Sequence, residues 1–296
     1  EANAMVMHTL KDASMTVALS AIEHESVRDN AQQASFIHVT QDGVIDLGAL
    51  EDFLKKAHQP TCVSVMAANN ETGVIQPLEK VSSLCLKYGA LLHVDATQGM
   101  GRMPLSFMDM TIDYMTFSSH KIGGFTGVGA LIAKKGVPLS PLFRGGGQEE
   151  GYRSGTLNGM GIMAFAKAHE QALAFDWTSQ AILRDDMEKN LKAYVPDSII
   201  AGEKVTRLPN TSCLSMPGVA ADTQVIAMDL EGLSISAGAA CSSGKVKTSH
   251  VLKAMGFDNE ADSFIRISLC PDTPRIAIDT FIDCWKKIYN RCKGNT

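Results

Sequence analysis

Short apolar runs that end in polar residues and alternate with helical patterns constrain this chain more than any other feature. Residues 15–22, 36–40, 62–68, 90–95, 112–118 and 128–133 are apolar stretches of strand length. Residues 47–57 and 78–88, between them, carry helical spacing bounded by turn-forming residues. Strand, helix and strand in succession predict an α/β fold with a mainly parallel sheet covered by helices on both faces. In such sheets ligands bind beyond the carboxyl ends of the strands. His24, Asn69, Asn70, Asp95, Gln98, Ser118, His120 and Lys121 all stand at or just after the ends of apolar runs, and one pocket is expected to collect them.

The pattern changes in the second half. Spacing is helical over 157–191 and becomes charged after Gln180. Runs at 198–201 and 211–216, helical stretches near 221–230 and 249–255, a strand at 264–269 and a last helix from about residue 273 predict a smaller α+β C-terminal domain. A chain of 296 residues suits such a division, placed at 1–175 and 176–296.

Charged residues make up 20% and apolar residues 45% of the chain, and the net charge is -5, a balance that points away from nucleic acid or a membrane surface as partner. No apolar run has the length of a membrane span, and Glu1-Ala2-Asn3-Ala4 lacks the basic and apolar regions of a signal peptide, so a cytoplasmic protein is expected. The 7 cysteines are odd in number and form no CxxC pair, which argues against a disulfide framework and against a metal site. Cys62, Cys85 and Cys213 lie in apolar patterns and should be buried.

Phe117-Ser118-Ser119-His120-Lys121 puts a lysine after a strand and before Gly123-Gly124, in an apolar setting expected to favour its neutral, nucleophilic form. Ser118 and His120 can donate to a phosphate that the glycine backbone approaches closely. A surface lysine at a turn is the plainer alternative. Asp95 closes a buried run, where a carboxylate either caps the following turn or pairs with a protonated pyridine nitrogen. Gln98 can reach that ring's phenolic oxygen or be an ordinary loop residue. Asn69 and Asn70 organise a turn or bind a ligand. His24 can stack on a flat ring and move protons near neutral pH, or be structural. Gly145-Gly146-Gly147-Gln148 and Arg153-Ser154-Gly155-Thr156 suit phosphate contact, a subunit interface or a connector. Cys241 lies in a Gly/Ala/Ser stretch from Ser236 to Gly244 without apolar periodicity, and a mobile, exposed thiol is expected there. Arg266 is a charge inside an apolar strand and needs an anionic partner, either a buried carboxylate or a substrate carboxylate held by its guanidinium fork.

Together these residues resemble the class V aminotransferase group of fold-type I enzymes dependent on pyridoxal 5'-phosphate (PLP), specifically its NifS/IscS-type cysteine desulfurases, over nearly the whole chain. The resemblance implies that Lys121 carries the cofactor, His24 stacks on its ring and Asp95 partners the pyridine nitrogen. It implies that Asn70 and Gln98 contact the cofactor, that Ser118 and His120 hold its phosphate, and that Arg266, with Asn70, binds the substrate. Thr156 would reach the phosphate of a neighbouring subunit, which implies a homodimer. The stretch around Cys241 is similar to the first of two desulfurase groups and makes Cys241 the nucleophile. The implied reaction takes L-cysteine to L-alanine: Lys121 moves the α proton, Cys241 attacks the substrate sulfur, and the resulting persulfide passes to an acceptor scaffold or carrier protein, as in iron-sulfur cluster assembly.

The chain departs from the family pattern at three places. Glu1-Ala2-Asn3 is similar to the tail of a longer family motif, so an absent N-terminal segment is expected. Glu150 stands where the family carries arginine, and Cys270 where it carries glycine. Two other readings use the same residues: another class V reaction, such as a transaminase or selenocysteine lyase, and a non-catalytic scaffold. Cys241 separates the first from a desulfurase.

Overall fold

The computed structural model describes residues 1–237 and 248–294, and it divides into two compact units. The first comprises 1–39, 44–69 and 76–175. Its sheet is built from β1 (Thr16–Ser20), β2 (Ser35–Ile37), β3 (Thr61–Met66), β4 (Leu91–Asp95), β5 (Tyr114–Ser118) and β6 (Gly129–Ala133), in the order β2-β1-β3-β4-β5-β6. Pairings from β2 through β5 are parallel, and only β6 runs antiparallel. The helices are α1 (Ala2–Asp12), the short α2 (Glu25–Arg28), α3 (Leu47–Lys56), α4 (Leu78–Tyr88) and α5 (Gly159–Ala174).

The strands are almost wholly apolar because both faces are covered, and their period of two sorts neighbours into two cores. Ala18, Val63, Val65, Leu92, Val94, Met115 and Phe117 pack with Leu50 and Leu54 of α3 and with Leu78, Val81 and Cys85 of α4. Their sequence neighbours Val17, Leu19, Cys62 and Tyr114 pack on the other face with Val6, Met7 and Leu10 of α1. Each such aliphatic side chain contributes about 1.5–3 kcal/mol by leaving water. Asp46 caps α3 by accepting from the Gly48 and Ala49 amides, and Gly89 ends α4 at a left-handed φ of 67° that a side chain would resist. Because β1, β3, β4 and β5 are parallel, their carboxyl ends share one edge, with Met66, Asp95 and Thr116 in register.

The second unit comprises 40–43, 70–75 and 176–296 as far as it is described. Its antiparallel sheet has the order β7-β9-β8, from β7 (Thr211–Ser215), β8 (Ser236–Ala237) and β9 (Phe264–Ser268). Helices α6 (Thr178–Tyr194), α7 (Ala221–Leu230), α8 (His250–Ala254) and α9 (Arg275–Lys293) accompany it, with Trp285, Phe281, Met187 and Leu214 in its core. The segments 40–43 and 70–75 come from the first half of the chain, and Val74 bridges to Arg207.

Some expectations change. The helical pattern over 157–191 is two helices, α5 and α6, broken at Phe175 to Trp177. The run at 198–201 is not a strand but a single bridge from Ile200 to Leu214. Cys62, Cys85 and Cys213 are buried, and burial pushes the Cys85 thiol up to about 12.

Candidate active site

Three strand ends of the first unit hold the polar groups. Asp95, the last residue of β4, is 6% exposed. Its Oδ1 accepts from the Thr97 amide at 3.0 Å, and its Oδ2 accepts from Asn3 Nδ2 at 2.8 Å. Asn3, in the first turn of α1, also donates to Ser26 Oγ at 2.9 Å. Ser26 in turn meets His24, whose Nδ1 lies 2.9 Å from Ser26 Oγ and accepts the Ser26 amide at 3.0 Å. His24 thereby caps α2, with its ring half-buried.

Behind Asp95, His93 is fully buried between Ser64 Oγ at 2.8 Å and Thr116 Oγ1 at 3.4 Å, and Thr116 donates to Asn3 Oδ1 at 2.5 Å. Burial lowers the His93 imidazole to about 4, against an opposing pull from the Asp95 carboxylate, so the ring is neutral at physiological pH. Glu23, also buried, accepts the Met66 amide through Oε1 at 2.6 Å. Burial first, and then the charge of Asp95, raise its carboxyl well above the ordinary value.

After β5, Ser118 Oγ lies 2.9 Å from His120 Nδ1, and a short 3-10 turn, Ser119–Ile122, carries Lys121. Partial burial and the neighbouring Lys121 charge lower the His120 imidazole. Lys121 itself is exposed, so the apolar setting expected for it does not hold within this unit. Beyond Ile122 come Gly123, Gly124 and an exposed loop from Phe125 to Gly127, which remove little water from an amine. Gln98 is half-buried, and its carbonyl accepts from Arg102, whose guanidinium also donates to the Lys121 carbonyl. Asn69 is spent structurally, donating to the Ile22 carbonyl at 3.2 Å. Thr156 is exposed in the segment before α5, and Glu149 and Glu150 both take left-handed backbone, at φ 48° and 56°.

Asn70 and Arg266 belong to the second unit. Arg266 Nη1 donates to the Asn70 carbonyl at 3.0 Å and Nη2 to Ser236 Oγ at 3.2 Å. Both partners are neutral oxygens. Among the described residues no carboxylate forms an ion pair with this half-buried guanidinium. The Asn70 Oδ1 is buried and, among the described residues, has no hydrogen-bond partner. Cys241 lies outside the described residues.

The donor set of the first unit fits pyridoxal phosphate: a carboxylate at a strand end for a ring nitrogen, a half-exposed imidazole with a flat face, hydroxyl and imidazole groups beside glycine backbone for a phosphate, and an amine. Sequence reasoning missed Asn3, which joins Asp95 to His24. A signal for it existed, since Asn3, Met7 and Leu10 share the buried face of α1.

The family model for class-V aminotransferases matches residues 1–281. A protein named cysteine desulfurase from Cereibacter sphaeroides is 37% identical over 287 residues, covering 94% of this chain and 74% of its own. Another of that name, from Sinorhizobium fredii, is 39% identical over 265 residues, covering 86% and 68%. The solved structure of a NifS-like protein from Rickettsia africae superposes with a TM-score of 0.89 at 35% identity, covering 98% of this chain and 79% of that one. With its parallel sheet, its strand-end carboxylate and these relatives, the chain belongs to the class-V aminotransferase family, among the NifS-like cysteine desulfurases of the fold-type I enzymes.

Proposed function

We propose that this chain, with PLP bound, converts L-cysteine to L-alanine, taking the sulfur onto Cys241 as a persulfide for transfer to an acceptor scaffold or carrier protein in iron-sulfur cluster assembly or a related pathway. The observation that carries this reading is the joining of Asp95 and His24 through Asn3 and Ser26 at the carboxyl edge of the sheet. The cysteine desulfurase names of its relatives support the choice of substrate.

Bound to Lys121, the pyridoxal ring supplies an electron sink for the substrate's Cα. Asp95 would hold the ring nitrogen's proton with its carboxylate, which would keep that sink strong. His24 would pack against the ring and offer an imidazole for proton movement. Ser118, His120 and Gln98 orient the group at its phosphate and phenolic ends. Asn70 and Arg266 bind substrate, the guanidinium clamping the α-carboxylate. Lys121 Nζ would take the α proton and later return a proton to the same carbon, while the carbon that loses sulfur would take the proton given up by the Cys241 thiol. The Cys241 thiolate forms a bond to the substrate sulfur as the substrate's Cβ–S bond breaks, leaving a persulfide and, after proton return, alanine.

A homodimer is part of the reading. Helix α5, GMGIMAFAKAHEQALA, is rich in apolar residues, yet Met160, Ile162, Met163 and Leu173 are exposed, beside exposed Phe143 and Tyr152. Such a patch fits a second copy of the chain, with Thr156 at hand for that copy's phosphate. The described cysteines are all free thiols, which supports a reducing compartment such as the cytoplasm.

The test is the visible absorption spectrum of the purified protein with added PLP, before and after L-cysteine, with sulfide and alanine measured in the same tube. A lysine-linked cofactor band that shifts with cysteine and yields both products supports the reading. Cys241→Ala should then abolish sulfide release. Retained alanine formation with no need for Cys241 would point to another class V reaction.

A further inference from the structure

Around Asp95, every side-chain hydrogen bond has a donor and an acceptor that can be assigned by elimination. A carboxylate in this setting accepts, so the Asn3 atom 2.8 Å from Asp95 Oδ2 must be the amide nitrogen. The same nitrogen's second hydrogen points to Ser26 Oγ, and Asn3 Oδ1 is left to accept the Thr116 hydroxyl proton. With that proton committed, Thr116 Oγ1 can only accept from His93 Nε2. His93 is neutral and carries one ring proton, so its Nδ1 must accept from Ser64. At the other end His24 Nδ1 accepts the Ser26 amide, which leaves the ring proton on Nε2, so Ser26 Oγ, 2.9 Å from the unprotonated Nδ1, donates to it as well.

We propose that Asn3 is a positioning residue that ties Asp95 and His24 into one directional hydrogen-bond chain, running from Ser64 through His93, Thr116, Asn3 and Ser26 to His24. The polarity of this chain fixes two things at once. It turns the Asp95 carboxylate by a donor held at both ends, and it adds the Ser26 hydroxyl to the Ser26 amide in keeping His24 Nδ1 unprotonated and the ring proton on Nε2. The chain is anchored on three strands and two helices: β3, β4, β5, α1 and α2. A single amide therefore couples the group beneath a bound ring's nitrogen to the group stacked on its face. The inference rests on the cofactor reading of this site only for its second readout, because the polarity belongs to the protein alone.

The first measurement is a long-range proton-nitrogen correlation spectrum of uniformly 15N-labelled protein without added cofactor, which reports the protonated nitrogen of each imidazole. The expected result is Nε2–H on both His93 and His24. Thr116→Val keeps the shape but can neither donate to Asn3 nor accept from His93, so the His93 tautomer should become mixed. In that variant the dissociation constant for PLP should rise on the order of tenfold, as for a weakened charge-assisted hydrogen bond. Thr116→Ser should restore both readouts. Asn3→Ala should weaken PLP binding at least as much, with circular dichroism and melting as controls for folding. A proton on Nδ1 of His93 in the unmodified protein overturns the proposal, and so do native tautomers and native affinity in Thr116→Val. The expected tautomers in a protein that binds no PLP would uphold the chain and overturn the cofactor reading instead.

Discussion

Ser249 donates its hydroxyl proton to Glu71 Oε2 at 2.6 Å, joining residues 178 positions apart inside the second unit, where both are buried. The same oxygen accepts the Leu252 amide at 3.1 Å and so caps α8. One hydroxyl thus starts a helix and binds it to the 70–75 segment, whose Asn70 carbonyl accepts from Arg266. Ser249→Ala removes a cap and a charge-assisted bond together, and should cost about 2–4 kcal/mol of stability in urea titration. Ser249→Thr should retain most of it. An unchanged midpoint in Ser249→Ala would show that Glu71 and α8 hold without this hydroxyl.

His93 makes stability depend on pH in a known direction. Its ring titrates at about 4 in the folded protein and at the ordinary 6.5 when unfolded. The unfolded chain therefore binds the extra proton first, and stability is lost as pH falls from 6.5 toward 4. Between pH 7 and pH 5 the loss from this group should be about 2 kcal/mol. Glu23 works in the opposite sense, since its raised carboxyl gives stability that is lost as pH rises above 4.5. The His93 contribution is therefore read as a difference: His93→Asn should flatten the fall in urea stability between those pH values. Parallel slopes for the two proteins would mean that the His93 ring takes up its proton no differently in the fold than in the unfolded chain.

The groups around His93 also show what the sequence could and could not tell. Strand-end logic found Asp95 and His24 because a polar residue closing an apolar run is visible locally. Arg266 was visible for the same reason, as a charge inside FIRIS. Asn3 was not found, because its meaning depends on Asp95 and Ser26, which reach it only after folding. The apolar setting expected for Lys121 failed because sequence neighbours do not report solvent. Ser236–Ala237 is too short to show alternation, and it is a strand only because Arg266 and Ile265 lie opposite. The membership of 40–43 and 70–75 in the second unit was equally hidden, since Val74 bridges to Arg207, far along the chain.

Arg207 supplies a test of burial against charge. It donates from Nη1 and Nη2 to the two carboxylate oxygens of Glu188 at 2.7 and 2.6 Å, with side chains 6% and 9% exposed. Removing one partner leaves the other charge buried and alone. Glu188→Ala should therefore cost about 3–5 kcal/mol, while Arg207→Met with Glu188→Leu should fold with near-native stability. Chemical denaturation of the single and double variants measures this. A double variant as unstable as the single one would assign the loss to shape rather than to charge.

Arg266 offers the sharpest separation between binding and packing. Its guanidinium spans the Asn70 carbonyl and Ser236 Oγ, and no acidic residue among those described neutralises it, so an incoming carboxylate would meet a charge already held in place. Lysine keeps the charge but not the fork. Arg266→Lys should raise the KM for L-cysteine roughly 10- to 100-fold, the equivalent of about 1.5–3 kcal/mol for a charge-assisted pair, and leave the absorption of bound PLP unchanged. The two readouts divide the explanations. A raised KM with an intact cofactor band places the guanidinium on the substrate. A native KM with lower melting would mean that Arg266 serves only to hold β8 and the Asn70 turn to β9, and the carboxylate would then need another cation.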